Sequence, residues 1–237
     1  MLNIAVFTYD FPHKKTQDFI MALLANNIKI KCVIAAPRVE LKNKNSLKRI
    51  KVKNRPLFET TEICSNFGIL YYVAPHNSEE CISLLTENKI DLGIIAGARI
   101  LKENVIAAVN KGILNLHPGW IPDVRGLDAV KWAVYNQLPL GVTAHYIDKR
   151  VDAGKILDRR GVNVDNDDTF FDISQKIDNL EIELMISTLK KIFLGREEII
   201  ECVFDKPYNT VMPKEKEDEL DEKLKIYKAK VENGIYL

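Results

Sequence analysis

Apolar residues come in short runs that alternate with longer stretches in which they recur every third or fourth position. The runs Leu2 to Thr8, Ile28 to Ala35, Ile69 to Val73, Leu92 to Ala96 and Gly112 to Asn115 are rich in Ile, Val and Leu and read as buried strands. Between them, Lys15 to Asn26, Pro56 to Phe67 and Ser78 to Asn88 carry their apolar residues at helical spacing, with Ser78 placed to cap the last of the three. Strands separated by helices in this way predict a parallel sheet with crossover helices. After Asn115 the pattern changes. Leu127 to Asn136 reads as a helix, and Leu140 to Ile147 and Lys155 to Val164 as two more strands joined by a turn that holds Asp152 and Gly154. Asp168-Thr169 then caps a long amphipathic helix running to about Leu194. The fold class expected is α/β, a Rossmann-like, mostly parallel twisted sheet with helices on both faces. The main domain spans residues 1–204, and 205–237 form a small helical extension. In the extension Leu220, Leu224 and Tyr227 fall at roughly helical spacing, which predicts an exposed helix packed along one edge. No internal repeat or low-complexity block interrupts this scheme.

Composition narrows the class. At 237 residues and 46% hydrophobic the chain can bury one full α/β core and a modest appendage. The net charge of +1 provides no global attraction to nucleic acid or to an anionic membrane, so neither is expected as a partner. No apolar run approaches a membrane span, and Met1-Leu-Asn-Ile-Ala-Val-Phe reads as a first strand, not as a signal peptide. Cys32, Cys64, Cys81 and Cys202 are widely spread with no Cys-x-x-Cys pair, which reads as reduced thiols in a cytoplasmic protein without a metal. One segment stands apart. From Arg38 to Arg55, Lys42, Lys44, Lys48, Arg49, Lys51 and Lys53 face only Glu40, in a connection long for an α/β unit. A solvated charge run is the expected reading over a phosphate site.

The chemistry-bearing residues cluster in the second half. Asn115-Leu-His117-Pro-Gly, Gly141-Val-Thr143-Ala-His145 and Val151-Asp152-Ala-Gly154 set an amide, an imidazole and a carboxylate beside strand-like runs. Asn115 and Asp152 are both expected at carboxyl edges of the sheet, where open α/β sheets place their ligands. An Asn amide can donate to the oxyanion formed when a carbonyl is attacked, and an imidazole beside a carboxylate can carry the proton that an attacking amine loses. Acyl transfer to an amine suits all three. Taken singly each has a plainer reading: Asn115 and Asp152 as turn residues, His117 as a loop histidine. His145, among apolar neighbours, is expected to orient the site together with Thr143, not to react.

The combined pattern Asn-x-His-Pro-Gly-x-x-Pro, Arg125-Gly126, Gly-x-Thr-x-His and Asp-x-Gly, over about residues 92 to 160, resembles the 10-formyltetrahydrofolate-dependent formyltransferase family. The resemblance implies Asn115, His117 and Asp152 as the catalytic trio. It implies 10-formyltetrahydrofolate as cosubstrate, with no metal, held by Gly97, Arg99, Ile100 and Leu101 and by Tyr146, Ile147 and Asp148. For the acceptor, the turn Thr8-Tyr9-Asp-Phe11-Pro-His13 lacks the phosphate-cradling glycines of glycinamide ribonucleotide formyltransferases. Residues 205–237 are too few for the barrel that methionyl-tRNA formyltransferases append. The short sugar N-formyltransferases remain similar. They imply a nucleotide-linked aminodeoxy sugar as acceptor, dTDP-4-amino-4,6-dideoxyglucose being the expectation, with surface polysaccharide synthesis as the setting. Tyr9, Phe11, Lys14, Trp120 and Tyr208 are the candidate acceptor contacts, and a homodimer is expected. The alternatives are a methionyl-tRNA formyltransferase-like enzyme without the barrel and a non-catalytic folate or nucleotide-sugar binding module.

Overall fold

The computed structural model describes residues 2–39, 47–51 and 56–232. Of the basic segment, Glu40, Lys42, Lys44, Lys53 and Arg55 lie outside the described residues, as do residues 233–237 of the extension. Seven strands form one sheet: β1 (Ile4–Tyr9), β2 (Cys32–Ala36), β3 (Leu70–Val73), β4 (Leu92–Ile95), β5 (Ile113–His117), β6 (Gly141–Tyr146) and β7 (Ile156–Gly161), in the order β3-β2-β1-β4-β5-β6-β7. The first five are parallel to one another. β6 is antiparallel to β5, and β7 to β6. The α/β class and the mostly parallel sheet follow the sequence pattern.

Alternation along the strands divides the core in two. Val6, Val33, Leu92, Ile94, Leu114, Leu116, Val142 and Ala144 point to one face. There they meet α1 (Lys14–Ala25), α2 (Thr60–Asn66) and the long α6, Phe170–Phe193. Phe7, Ile34 and Ile113 point to the other, under α3 (Glu79–Glu87) and α4 (Glu103–Ala107). The second helical layer ends at β5. Beyond Ile113 that face of β5 and β6 carries Asn115, His117, Thr143 and His145, and loops cover it in place of a helix. This gap in the helical cover is where the polar side chains gather.

Local chemistry explains the element ends. Ser78 accepts the Cys81 amide and caps α3, and Thr169 and Asp172 form a reciprocal capping box on α6. Asp168, expected to share that cap, instead accepts the Asp165 amide and pairs with Lys176 at 2.6 Å. Several expected elements are shorter: α2 begins at Thr60 and not Pro56, β2 begins at Cys32 and not Ile28, β7 ends at Gly161 and not Val164, and α5 begins at Ala129 and not Leu127. Ile28 and Ile30 are buried by packing without joining the ladder. α4, only one turn and a half of mixed residues, carries too little periodicity to stand out in the sequence.

The extension packs into the same core. α5 (Ala129–Tyr135) lies against α8 (Leu220–Glu232), and the short α7 (Lys214–Asp218) precedes α8. Leu220, Leu224 and Tyr227 are buried, and the Leu140 amide donates to the Tyr227 hydroxyl at 3.1 Å. Lys131 of α5 and Glu217 of α7 form an ion pair of 2.8 Å, both side chains almost wholly buried. Such a pair adds little net stability but is costly to break. Glu217 also accepts the backbone amides of Leu47 and Lys48, which brings the described end of the basic segment against the extension. Among the described residues no helix is long and apolar enough to cross a membrane. Leu220→Ala is expected to cost about 2–5 kcal/mol, the range for a buried Leu truncated in a tight core. Denaturant unfolding checks it: a single transition moved to lower denaturant is expected, and an unmoved midpoint contradicts a shared core.

Candidate active site

Asn115 and His117 are two apart in β5, so their side chains leave the same face of the sheet. In the antiparallel neighbour, His145 stands opposite Asn115 and Thr143 opposite His117. Four polar groups therefore form a patch set by strand register. The carboxylate arrives from elsewhere. Because β6 runs against β5, its carboxyl end lies at the amino end of β5, and the expectation that Asn115 and Asp152 project from equivalent edges needs correction. Asn115 and His117 lie within the strand, not past it, and the turn from residue 147 to 155 folds back across the patch to deliver Asp152. Gly154 permits that fold, since a Cβ there would overlap the Tyr146 carbonyl. Asp152 itself has φ 44°, the left-handed region, which a short polar side chain tolerates better than most.

Asp152 gathers the patch. Its Oδ2 accepts the Gly126 amide at 2.9 Å and lies 3.4 Å from His117 Nδ1. Its Oδ1 lies 3.5 Å from Asn115 Nδ2. His117 Nε2 donates to the Val124 carbonyl at 3.0 Å, and Nδ1 is the ring nitrogen that faces the Asp152 carboxylate. The tautomer of His145 follows from its partners. Nδ1 faces the Tyr146 carbonyl at 3.3 Å, which leaves Nε2 to accept the Asn115 amide at 3.2 Å. His145 is fully buried, and that burial, opposed by Asp152 and reinforced by His117, pulls its pKa down to about 4. It is a neutral ring that fixes which way the Asn115 amide points. Thr143 works at the other end, donating to the Gly119 carbonyl at 2.7 Å and accepting the Ile121 amide at 3.1 Å, so it anchors the loop after His117.

A second group of expected residues meets at the carboxyl edge of β1 and β4. The Tyr9 ring lies against Gly97, where a Cβ would come within 2.8 Å of it, and stacks on Phe11 with centroids 5.1 Å apart. Arg99 is exposed and near enough to Tyr9 to act on it electrostatically. His13, not singled out in the sequence, packs edge-on against Tyr9 and bonds Thr16 at 3.1 Å. Burial, with Lys15 and Lys51 nearby, lowers its pKa to about 4.

The remaining expected residues are scattered or engaged. Lys14 is held by Asp18 and Asp178, at 2.5 and 3.1 Å, and Lys15 by Glu181 and the Leu116 carbonyl, both at 2.8 Å. In the basic segment Lys48 pairs with Asp221 and Lys51 with Asp178, which fits a charge run better than a phosphate site. Leu101 is 3% exposed and packs in the α3/α4 core, whereas Ile100 is 69% exposed. Tyr146 rests over Gly112, and Ile147 packs beside the α3/α4 core. Asp148 pairs with Arg150. Trp120 lies under the Arg159 guanidinium and Tyr208 is exposed. Among the described residues no group of His, Cys, Asp and Glu could hold a metal ion.

Residues 2–189 match the family described as formyl transferase. The chain belongs to that family. A methionyl-tRNA formyltransferase of Caldanaerobacter subterraneus subsp. tengcongensis is 30% identical over 122 residues, 51% of this chain and 40% of that protein. A phosphoribosylglycinamide formyltransferase of Bacillus subtilis is 31% identical over 113 residues, 47% of this chain and 58% of that protein. The chain thus spans about half the length of these curated relatives. A sugar N-formyltransferase from a Shewanella species superposes with a TM-score of 0.63 at 20% identity, covering 87% of this formyl transferase family chain and 76% of that one. A phosphoribosylglycinamide formyltransferase from Streptococcus pneumoniae does so with 0.62 at 23%, covering 81% and 99%. At these identities the likeness is one of fold.

Burial depresses three histidines and so makes stability depend on pH: His76 shifts downward, and His145 and His13 shift furthest. The folded pKa of about 4 for His145 and His13 lies below the ordinary 6.5, so between those values the unfolded chain binds more protons than the native one. Stability is then expected to fall as pH drops from about 6.5 toward 4. Calorimetric Tm measured across that window checks this, and His145→Gln should flatten the slope. A Tm that stays level from pH 7 to 4 contradicts the assignment of buried neutral rings.

Proposed function

We propose that this chain transfers a formyl group from 10-formyltetrahydrofolate to an amine, with Asn115, His117 and Asp152 as its catalytic residues. The observation that carries the reading is the meeting of amide, imidazole and carboxylate: Asp152 lies 3.4 Å from the His117 ring and 3.5 Å from the Asn115 amide. Membership of the formyl transferase family supplies the reaction class. The folate would lie between the loop Gly97-Ala-Arg99-Ile100 and the turn from Tyr146 to Asp148. The exposed Ile100 side chain is consistent with an apolar contact that a ligand covers.

The residues suit the steps of such a transfer. The acceptor nitrogen bonds to the formyl carbon, and the carbonyl oxygen takes up negative charge. Asn115 Nδ2 and His117 Nδ1, each held only loosely by Asp152 at 3.5 and 3.4 Å, turn to donate to that oxygen, and one well-placed donor of this kind contributes about 3 kcal/mol to the rate. Asp152 orients the imidazole and, through a water, passes the proton lost by the amine toward the folate nitrogen. The bond from that nitrogen to the formyl carbon then breaks, and the charge balances without a covalent enzyme intermediate. His145 holds the Asn115 amide in register throughout. Bringing both reactants together removes a large part of the entropic barrier.

For the acceptor we favour a nucleotide-linked aminodeoxy sugar, such as dTDP-4-amino-4,6-dideoxyglucose. The turn after β1 has no glycine to bring backbone amides close to a phosphate, and it presents the stacked Tyr9 and Phe11 instead, faces suited to a sugar or base. Trp120 and Tyr208 complete the candidate aromatic contacts. Lys14 would reach an acceptor only by leaving its two carboxylates. The reading includes a homodimeric, cytosolic enzyme serving surface polysaccharide synthesis.

His117→Ala and Asp152→Ala are each expected to lower kcat about 100-fold or more while leaving the fold intact. Single-turnover transfer, with circular dichroism as the fold check, measures this, and near-normal transfer by folded Asp152→Ala overturns the assignment. A chelator should leave the rate unchanged. Screening aminosugar nucleotides, a ribonucleotide amine and charged initiator tRNA identifies the acceptor. Turnover on tRNA alone would displace the sugar reading, and binding without turnover on any acceptor would point to a non-catalytic module.

A further inference from the structure

The carboxylate turn is held by a part of the chain far from it in sequence. Two points of that turn are referred to the same dipeptide: Gly126 donates its amide to the Asp152 side chain, and Arg125 Nη1 donates to the Val151 carbonyl at 3.3 Å. The dipeptide is in turn pinned from the other side. Arg125 Nη2 donates to the Lys206 carbonyl, and its guanidinium lies over the Phe204 ring. The Asn209 amide donates to the Arg125 carbonyl at 2.8 Å, and the Asn209 carbonyl accepts the Leu127 amide at 2.9 Å. Gly126, at φ 86°, is pressed so closely on Asn209 that a Cβ would overlap its backbone. Flanking contacts fasten the segment along its length. Lys206 pairs with Asp123 at 2.7 Å, Trp132 Nε1 donates to the Thr210 carbonyl and the Met212 amide to Asp128, both at 2.9 Å.

We propose that Arg125 is a positioning residue for Asp152, and that residues 204–212 are the clamp it closes, so that the carboxyl-terminal extension completes the catalytic centre. The inference rests on the assignment of Asp152 and His117 made above. Arg125 is 7% exposed, and among the described residues no carboxylate lies within ion-pair distance of it. Its donors go to two backbone carbonyls instead, one on each side of the loop. A guanidinium does this because its donors are fixed in one plane; a lysine ammonium is a single point and cannot span both. The left-handed backbone at Asp152 is one that its short side chain tolerates, so the position of the carboxylate rests on the contacts that the turn makes with Arg125 and Gly126. With the Val151 carbonyl released, the turn relaxes and the carboxylate drifts from His117. A displacement of about 1 Å at a reacting group is enough for a roughly 100-fold loss of rate.

The test uses the full chain and two readouts. The first is the His117 Cε1–H resonance, assignable because the chain has four histidines, and it needs no turnover. Arg125→Ala and Asn209→Pro, which removes the amide given to Arg125, are both expected to move that resonance toward its position in Asp152→Asn. The second is formyl transfer: kcat is expected to fall about 10- to 100-fold with the KM for folate within about threefold of wild type, and Arg125→Lys is expected not to rescue it. A His117 resonance unmoved in Arg125→Ala, or wild-type behaviour of Arg125→Lys, overturns the clamp. Should Arg125→Ala fail to fold, Asn209→Pro decides by the same resonance. Wild-type protein without transfer activity would sink the proposed function, while the resonance comparison would still judge the clamp.

Discussion

The carboxylate of Asp152 reaches across the face of an antiparallel strand pair to meet an imidazole and an amide that strand register alone has placed side by side. The rest of the site answers to that one bridge. Asn115, His117, Thr143 and His145 are fixed by the ladder, and a ladder cannot slip by one residue without turning every side chain to the opposite face. The carboxylate has no such guarantee. Its turn is held by a glycine amide, an arginine fork and a distant length of backbone.

The polar patch is tolerated because of where the second helical layer stops. α3 and α4 bury the Phe7, Ile34 and Ile113 face, but among the described residues the stretch of that face beyond Ile113 is covered by loops. Buried polar groups need partners. Here they supply one another: His145 accepts from Asn115, Asn115 faces Asp152, and His117 and Thr143 bond the backbone of the loop that closes over them. His145 can be wholly buried because it stays neutral. A network satisfied in this way sets the directions of the amide and the imidazole, which is what the proposed transfer asks of them.

Much of this could be read from residue order. The strand runs, the Ser78 and Thr169 caps, the long α6 and the spacing of Leu220, Leu224 and Tyr227 all follow from local periodicity, because a strand or helix face is visible within a few residues. The burial of His145 was legible from its apolar neighbours. Three things were not. The reversal of β6 placed the Asp152 turn at the far edge, and nothing in the run Leu140 to Ile147 states a strand's direction. The pairing of Lys14 with Asp178 joins residues far apart in the chain, so a lysine that looked free is engaged. Residues 204–212 carry no motif, and their contacts to Arg125 and Gly126 are mostly through backbone groups, which every sequence possesses alike.

Residue order by itself determined the alternation of strands and helices, the identity of the amide, imidazole and carboxylate, and the glycines that let the chain turn beside them. Those are local properties: side-chain type, period and backbone freedom. Only the tertiary structure decided that the carboxylate folds back over the sheet, that one histidine is neutral and another faces two acceptors, and that the extension grips the loop beside Asp152. These depend on distances between groups far apart in the chain. Such distances follow from packing and strand direction, which no short stretch of residues encodes.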